Sequence, residues 1–232
     1  MRKFAFILFV ICFALNVEAE IYDEDGVVII EFDNKFEYLY FPTRPPTVSD
    51  VGKLYGYKYI INGSFFDGWR GNSKHAGWLK IFGQIHSQIK KDKQLTHIVI
   101  VNANGKLEFV DYHDFIASEK SQQTIEFQTG PLILYKNKVT MRYINSSING
   151  NGKYSRSLIG FTSDGKKYFI VTKVPFSLSE LANILLKNSV FQGKELSVMN
   201  LDGGPSVALY VKDNPTLSIN VNGKLPLLLA VE

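Results

Sequence analysis

The sequence predicts an α+β fold, with a largely antiparallel, multi-stranded sheet or sheets covered by one long amphipathic helix and a few short helices. Three observations carry this expectation. Short runs rich in Val, Ile, Tyr and Phe recur between turn residues along the chain. Several adjacent runs are joined by Asn104-Gly105, by Asn137 or by Asp164-Gly165, residues that accept the positive φ of tight hairpin turns. One segment, FSLSELANILLKNSVFQG (176–193), instead has apolar residues at helical spacing.

Taken in order, the expected strands are VVIIEF (27–32), EYLYF (37–41), YKYIIN (57–62), HIVIVN (97–102), KLEFVDY (106–112) and PLILYK (131–136). They continue with KVTMRYI (138–144), SLIGFTS (157–163), KKYFIVTK (166–173), LSVMNL (196–201), SVALYVK (206–212) and TLSINV (216–221). The helix opens on a capping box, Ser177 with Glu180 three residues later, and a Phe176–Leu181 staple. Leu178, Leu181, Ala182 and Leu185 share one face, and Lys187 suits the C-terminal end of the helix dipole. Shorter helical turns are expected at Ser49–Leu54 and Asp114–Lys120, and FPTRPPT (41–47) reads as an extended surface crossing.

Residues 1–19 run from Arg2 and Lys3 through an apolar stretch, Phe4 to Leu15, to Val17-Glu18-Ala19, the three regions of a signal peptide. Cleavage near Ala19 and a periplasmic or secreted location are expected, with residues 20–232 as one domain and no stable membrane anchor. Cys12 is the only cysteine, so the exported chain has neither a disulfide nor a thiol nucleophile. Removing residues 1–19 leaves 24 basic and 21 acidic residues, a charge of +3. That balance is too mild for a nucleic-acid partner, and Lys90, Lys91 and Lys93 read as a solvated face.

Four motifs sit at strand ends. Asn62-Gly63-Ser64 closes YKYIIN and also matches a glycosylation acceptor pattern. Thr129-Gly130-Pro131 enters PLILYK, where glycine allows close backbone approach. Arg156, just before a strand, offers a fork of donors for phosphate or carboxylate. Asp202-Gly203-Gly204-Pro205-Ser206 follows LSVMNL, and its glycines could turn amides toward an anion. Taken separately, Arg156 also reads as a surface residue and the other three as ordinary turns. The histidines at 75, 86, 97 and 113 lack metal-ligand spacing and read as unrelated surface or edge residues, and no cofactor fingerprint occurs. No cofactor is expected; a divalent cation stays open, with Asp202, Asp164 and Asp67 as candidate oxygen ligands.

In chain order, INGSFF, TGP, SRSLIGFTSDGKKYFIVT, the FSLSELANILL helix and NLDGGPS resemble the phosphodiester glycosidase family, over about Tyr59 to Val211. The resemblance implies that Asn62, Gly63, Thr129, Gly130, Arg156, Asp202, Gly203, Gly204 and Ser206 line one cleft that hydrolyses a sugar 1-phosphodiester, of N-acetylglucosamine type, in envelope or extracellular glycans. In that reading Arg156, with the Gly203 and Gly204 amides, binds phosphate. Asp202 is the base or charge stabiliser, while Asn62, Thr129 and Ser206 orient sugar or phosphate. Ser64, Pro205 and the Tyr154-Ser155 pair depart from the family pattern. The alternative is a non-catalytic carbohydrate-binding or envelope polysaccharide-assembly protein that keeps the cleft without turnover.

Overall fold

The computed structural model describes residues 19–33, 35–68, 73–115 and 124–232. The expected signal peptide, apart from Ala19, and most of the helical turn expected at Asp114–Lys120 lie outside these residues.

Three antiparallel sheets form the body of the structure. The largest has seven strands in the spatial order Glu20–Glu24, Val27–Phe32, Lys167–Thr172, Ser157–Thr162, Leu196–Asn200, Leu132–Tyr135 and Lys138–Val139. A five-stranded sheet runs Leu107–Asp111, His97–Val101, Ile125–Thr129, Leu79–Ile81 and Gln84–Ser87. A four-stranded sheet runs Leu209–Val211, Tyr59–Asn62, Leu227–Val231 and Glu37–Tyr40. The hairpin signals act as expected: Gly105, Asn137 and Gly165 have φ of +81°, +63° and +88° at the three turns.

The central core lies where the three sheets meet, with Ile30, Phe169 and Met199 packed among Val99 and Phe127 of the second sheet and Ile61 and Leu229 of the third. The opposite face of the seven-stranded sheet is also buried, which is why VVIIEF and KYFIVT do not alternate with polar residues. Val27, Ile29 and Ile170 turn away from the central core into a second cluster with Leu178, Leu181 and Leu185.

The expected long covering helix is corrected here. The capping box forms as read, with Ser177 Oγ accepting from the Glu180 amide and Glu180 reaching back to the Ser177 amide, but the helix spans only Leu178–Lys187. Asn188 turns extended and uses its side chain to cap the next turn, Ser189–Phe191, so the helix stops after 10 residues. Among the described residues the fold is therefore mostly antiparallel sheet with three short α-helices, Val48–Tyr55, Met141–Ser146 and Leu178–Lys187, rather than sheet beneath a helical layer. The expected strand 138–144 keeps two paired residues and then becomes the second of those helices, whose Ile144 is fully buried against the sheet. Around TLSINV there is a 3₁₀ turn, Pro215–Leu217, and a single bridge from Ile219 to Leu209.

Two of the four histidines are interior residues, contrary to the surface reading. His75 and His97 are each 3% exposed, and burial pulls both down from 6.5 to about 4. Between those values the unfolded chain takes up protons that the folded chain refuses, so stability falls as pH drops from 6.5 toward 4. Each histidine is expected to cost about 2 to 3 kcal/mol on going from pH 7 to pH 4.5. Urea midpoints at the two pH values check this, and His97→Gln should show a smaller drop than wild type.

Candidate functional site

Four strand ends meet at one edge of the sheets. Ser157–Thr162 and Leu196–Asn200 run antiparallel with Leu158 opposite Asn200, so Arg156, just before one strand, and Asp202, just after the other, are brought to the same end. Backbone bonds tighten the arrangement: the Leu201 amide donates to Ser157 O at 2.9 Å, and the Asp202 amide to Gly63 O at 3.2 Å. The Asn200 amide donates to Pro131 O at 3.0 Å, bringing the Gly130-Pro131 entry alongside.

Asn62 ties these segments together. Its Nδ2 donates to Asp202 O at 2.8 Å, and its Oδ1 accepts from Ser157 Oγ at 2.6 Å and the Ala208 amide at 3.1 Å. At 2% exposure and so engaged, it is unavailable to a glycosyltransferase in the folded protein, whatever the acceptor pattern suggests. Ser64, a departure from the family pattern, is equally committed: its hydroxyl donates to Gln128 O at 2.6 Å, fastening this loop to the five-stranded sheet.

The Asp202 loop differs from the expected anion nest. The Gly203 amide donates to the Asp202 carboxylate at 2.8 Å, and the Gly204 amide donates to Ser155 O at 2.8 Å, so both amides assigned to phosphate are already in use. The two glycines have a different cause. A Cβ on Gly203 would lie 2.9 Å from Ser155 O, and Gly204 has φ +59°, in the left-handed region. Pro205 then falls in the first turn of the 3₁₀ helix Gly204–Ser206, where a missing N–H leaves no bond unmade.

Asp202 itself is largely shielded. Burial raises its carboxyl above the ordinary 3.8, and the Ser206 hydroxyl and Gly203 amide, both donating to it, partly offset that rise. Among the described residues it is the only carboxylate lining a pocket of about 170 Å³, whose wall also includes Arg156, Asn200, Gly130, Tyr154 and Phe65.

Arg156 is held by three carbonyls. Its Nη2 donates to Asn149 O at 2.7 Å and to Gly152 O at 2.8 Å, and its Nε donates to Phe176 O at 3.2 Å. The Tyr154 ring lies 5.1 Å from the guanidinium carbon, so this departure from the family pattern supplies a cation–π face. Burial pulls the guanidinium down to about 10, which leaves it charged at neutral pH. Nη1 retains two N–H donors with no protein partner among the described residues, and these are the donors left for an anion.

Of the residues singled out in the sequence, Gly130, Arg156, Asp202, Gly203 and Gly204 line the pocket. Asn62, Gly63, Thr129 and Ser206 stand behind it; the fully buried Thr129 hydroxyl braces Asn200 O at 3.0 Å. In the sequence, Asn200 stands out only as a residue that a simple turn leaves unexplained, with no site role, and the carbonyls of Asn149, Gly152 and Phe176 do not stand out at all. The turn-rich run Asn149-Gly150-Asn151-Gly152 was the available signal for two of these. The candidate cation ligands do not come together, because Asp67 pairs with Lys90 at 3.1 Å and Asp164 accepts from Thr162, while only Asp202 faces the pocket. A larger cavity, about 800 Å³ and lined by Lys35, Phe36, Phe82, Val101 and Ile125, contains none of the motif residues.

No curated protein matches the sequence. The structure is similar to the zebrafish N-acetylglucosamine-1-phosphodiester alpha-N-acetylglucosaminidase catalytic domain auto-inhibited by its pro-peptide. That match has TM-score 0.64 and 16% identity, and covers 93% of this chain and 83% of that one. It is also similar to a hypothetical protein from Synechocystis (TM-score 0.54, 11% identity, 91% and 61% covered). A protein from Burkholderia pseudomallei K96243 matches with TM-score 0.58 and 10% identity, with 89% and 74% covered. At these identities the likeness is one of fold. The profile of the phosphodiester glycosidase family matches residues 55–227, a span that contains every strand end gathered at the pocket. The chain belongs to the phosphodiester glycosidase family.

Proposed function

We propose that the protein hydrolyses a sugar 1-phosphodiester by attack of water at the anomeric carbon. The observation that carries this reading is the pocket's inventory of one shielded carboxylate, Asp202, and one arginine with two unused donors, Arg156, among the described residues. Hydrolysis of an ordinary glycoside calls for a second carboxyl group to protonate a basic leaving oxygen. A phosphodiester leaves as a weakly basic phosphate anion, so a cation that binds that anion substitutes for the acid. In the proposed step water's oxygen bonds to the anomeric carbon, the carbon–oxygen bond to phosphate breaks with its electron pair going to phosphate, and Asp202 takes the proton. The raised Asp202 carboxyl is the more basic for its burial and therefore better suited to that transfer. Arg156 Nη1 holds the phosphate, while Nη2 and Nε stay on the backbone and keep the guanidinium plane fixed.

The activity for which the zebrafish relative is named, on N-acetylglucosamine 1-phosphodiester, supports the same substrate class here. The charged-then-apolar N-terminal sequence supports export, which would place the substrate among envelope or extracellular glycans. Hydrolysis of methyl N-acetylglucosamine 1-phosphate in ¹⁸O-labelled water is the test. Label in the released sugar is expected. Label in the phosphate would replace this mechanism with phosphoryl chemistry.

A further inference from the structure

Three buried side-chain polar atoms lack a partner among the described residues: Tyr38 Oη, His75 Nε2 and Asn200 Oδ1. Only Asn200 lines the candidate site. Its other polar groups are accounted for. The backbone amide donates to Pro131 O, and the backbone carbonyl accepts from Thr129 Oγ1 at 3.0 Å. Nδ2 donates to Gly130 O at 2.9 Å and to Leu201 O at 2.7 Å.

Those last two bonds fix which way the carboxamide faces. Turned over, it would set its oxygen against two carbonyl oxygens and leave its donors unused, so Oδ1 must be the atom left over. An unmatched acceptor on a residue 3% exposed costs free energy in the folded state unless a ligand supplies the missing donor. Both residues line the pocket, Arg156 with a donor pair left at Nη1 and Asn200 with an unmatched acceptor that lies almost wholly beneath the pocket surface. Phosphate carries only acceptors under neutral conditions, so it suits Arg156 and not Asn200. The sugar is the part of a sugar phosphodiester that carries donors.

We propose that Asn200 is a specificity-determining residue whose Oδ1 accepts a hydrogen bond from one hydroxyl or acetamido N–H of the sugar. This rests on the function proposed above and adds a requirement to it. The sugar must have a donor at one particular position, and analogues lacking it are rejected even when the phosphodiester is intact. The pocket volume of about 170 Å³, below the roughly 300 to 1,000 Å³ of typical ligand sites, fits selection on one sugar unit rather than on a run of them.

The experiment uses methyl N-acetylglucosamine 1-phosphate and analogues in which each hydroxyl, or the acetamido group, is replaced in turn by hydrogen. With wild type, one analogue is expected to lose about 10- to 100-fold in kcat/KM, the cost of leaving a buried group unpaired. In Asn200→Leu, which has no acceptor, that same replacement should have little further effect. The comparison is a ratio between substrates within one variant, so any partial loss of fold, which scales all substrates alike, cancels. The proposal is overturned if wild type discriminates against no analogue, or if the discrimination survives intact in Asn200→Leu. If wild type turns over none of the substrates, calorimetric binding of N-acetylglucosamine 1-phosphate and the same replacement series decides it separately from the catalytic reading. Discrimination lost in Asn200→Leu then supports the acceptor role without turnover, whereas no binding or unaltered discrimination overturns it.

Discussion

Asp202→Asn is expected to lower kcat for a sugar 1-phosphodiester by about 10²- to 10⁴-fold, the range spanned by a positioned general base. The substitution keeps the shape of the side chain and an oxygen to accept the Gly203 amide at its present 2.8 Å. It also removes a carboxylate whose charge is disfavoured by burial. The melting temperature should therefore hold or rise slightly while the rate collapses, which separates a chemical role from a folding role. The pH profile supplies a second readout. Because the Asp202 carboxyl is raised above 3.8, wild-type kcat should climb with pH through that raised value as the base loses its proton, and the Asn variant should lack this limb. Steady-state assays from pH 4 to pH 8 check both, and an undiminished rate in Asp202→Asn would remove the carboxylate from the mechanism.

The second large effect lies away from the pocket. Glu126 and Lys80 are 2% and 3% exposed and face each other at 3.4 Å in the five-stranded sheet. Glu126 also accepts from Trp78 Nε1 at 3.0 Å and from Thr124 Oγ1 at 3.1 Å. Glu126→Gln leaves a buried ammonium opposite a neutral amide and turns an amide donor toward groups that are themselves donors. A loss of about 3 to 5 kcal/mol is expected, read from urea unfolding at pH 7. Two residues along the strand, Gln128 accepts from the Trp78 and Lys90 amides and donates to Lys90 O and Leu95 O. It thereby fastens the loop whose Gln94 borders the pocket. Activity per folded molecule should survive at low temperature, so the defect would be one of stability alone.

Strands were legible where hydrophobic pattern and turn chemistry were both local, as in 97–111 and 157–172, each a hairpin closed by a glycine at positive φ. The last strand, Leu227–Val231, escaped the sequence reading. Its identity depends on pairing with Tyr59–Asn62 and Glu37–Tyr40, partners far away along the chain that no window of sequence displays. The 138–144 run reads as strand because its β-branched and aromatic residues suit one, yet most of it is helix. What decides the matter is tertiary, the burial of Ile144 against the sheet. At the site, turn residues mark the strand ends, and the family resemblance implies that they line one cleft. Neither shows that the Gly203 and Gly204 amides are taken by the Asp202 carboxylate and Ser155 O, nor that Arg156 spends three donors on the carbonyls of Asn149, Gly152 and Phe176, since those pairings depend on how distant segments fold together and not on residue type.

Asn62 carries a consequence for how the molecule comes apart. Its one carboxamide joins the end of the four-stranded sheet to Ser157 of the seven-stranded sheet and to the Asp202 loop. To open that loop by itself the protein must first pull Asp202 O off the Nδ2 of a buried amide that braces both sheets, leaving its remaining bonds to bear the loss. Loop fluctuation and sheet separation therefore belong to a single cooperative unit, and the amide of Ala208, bonded to the same oxygen, should exchange with solvent deuterium only when the whole structure opens.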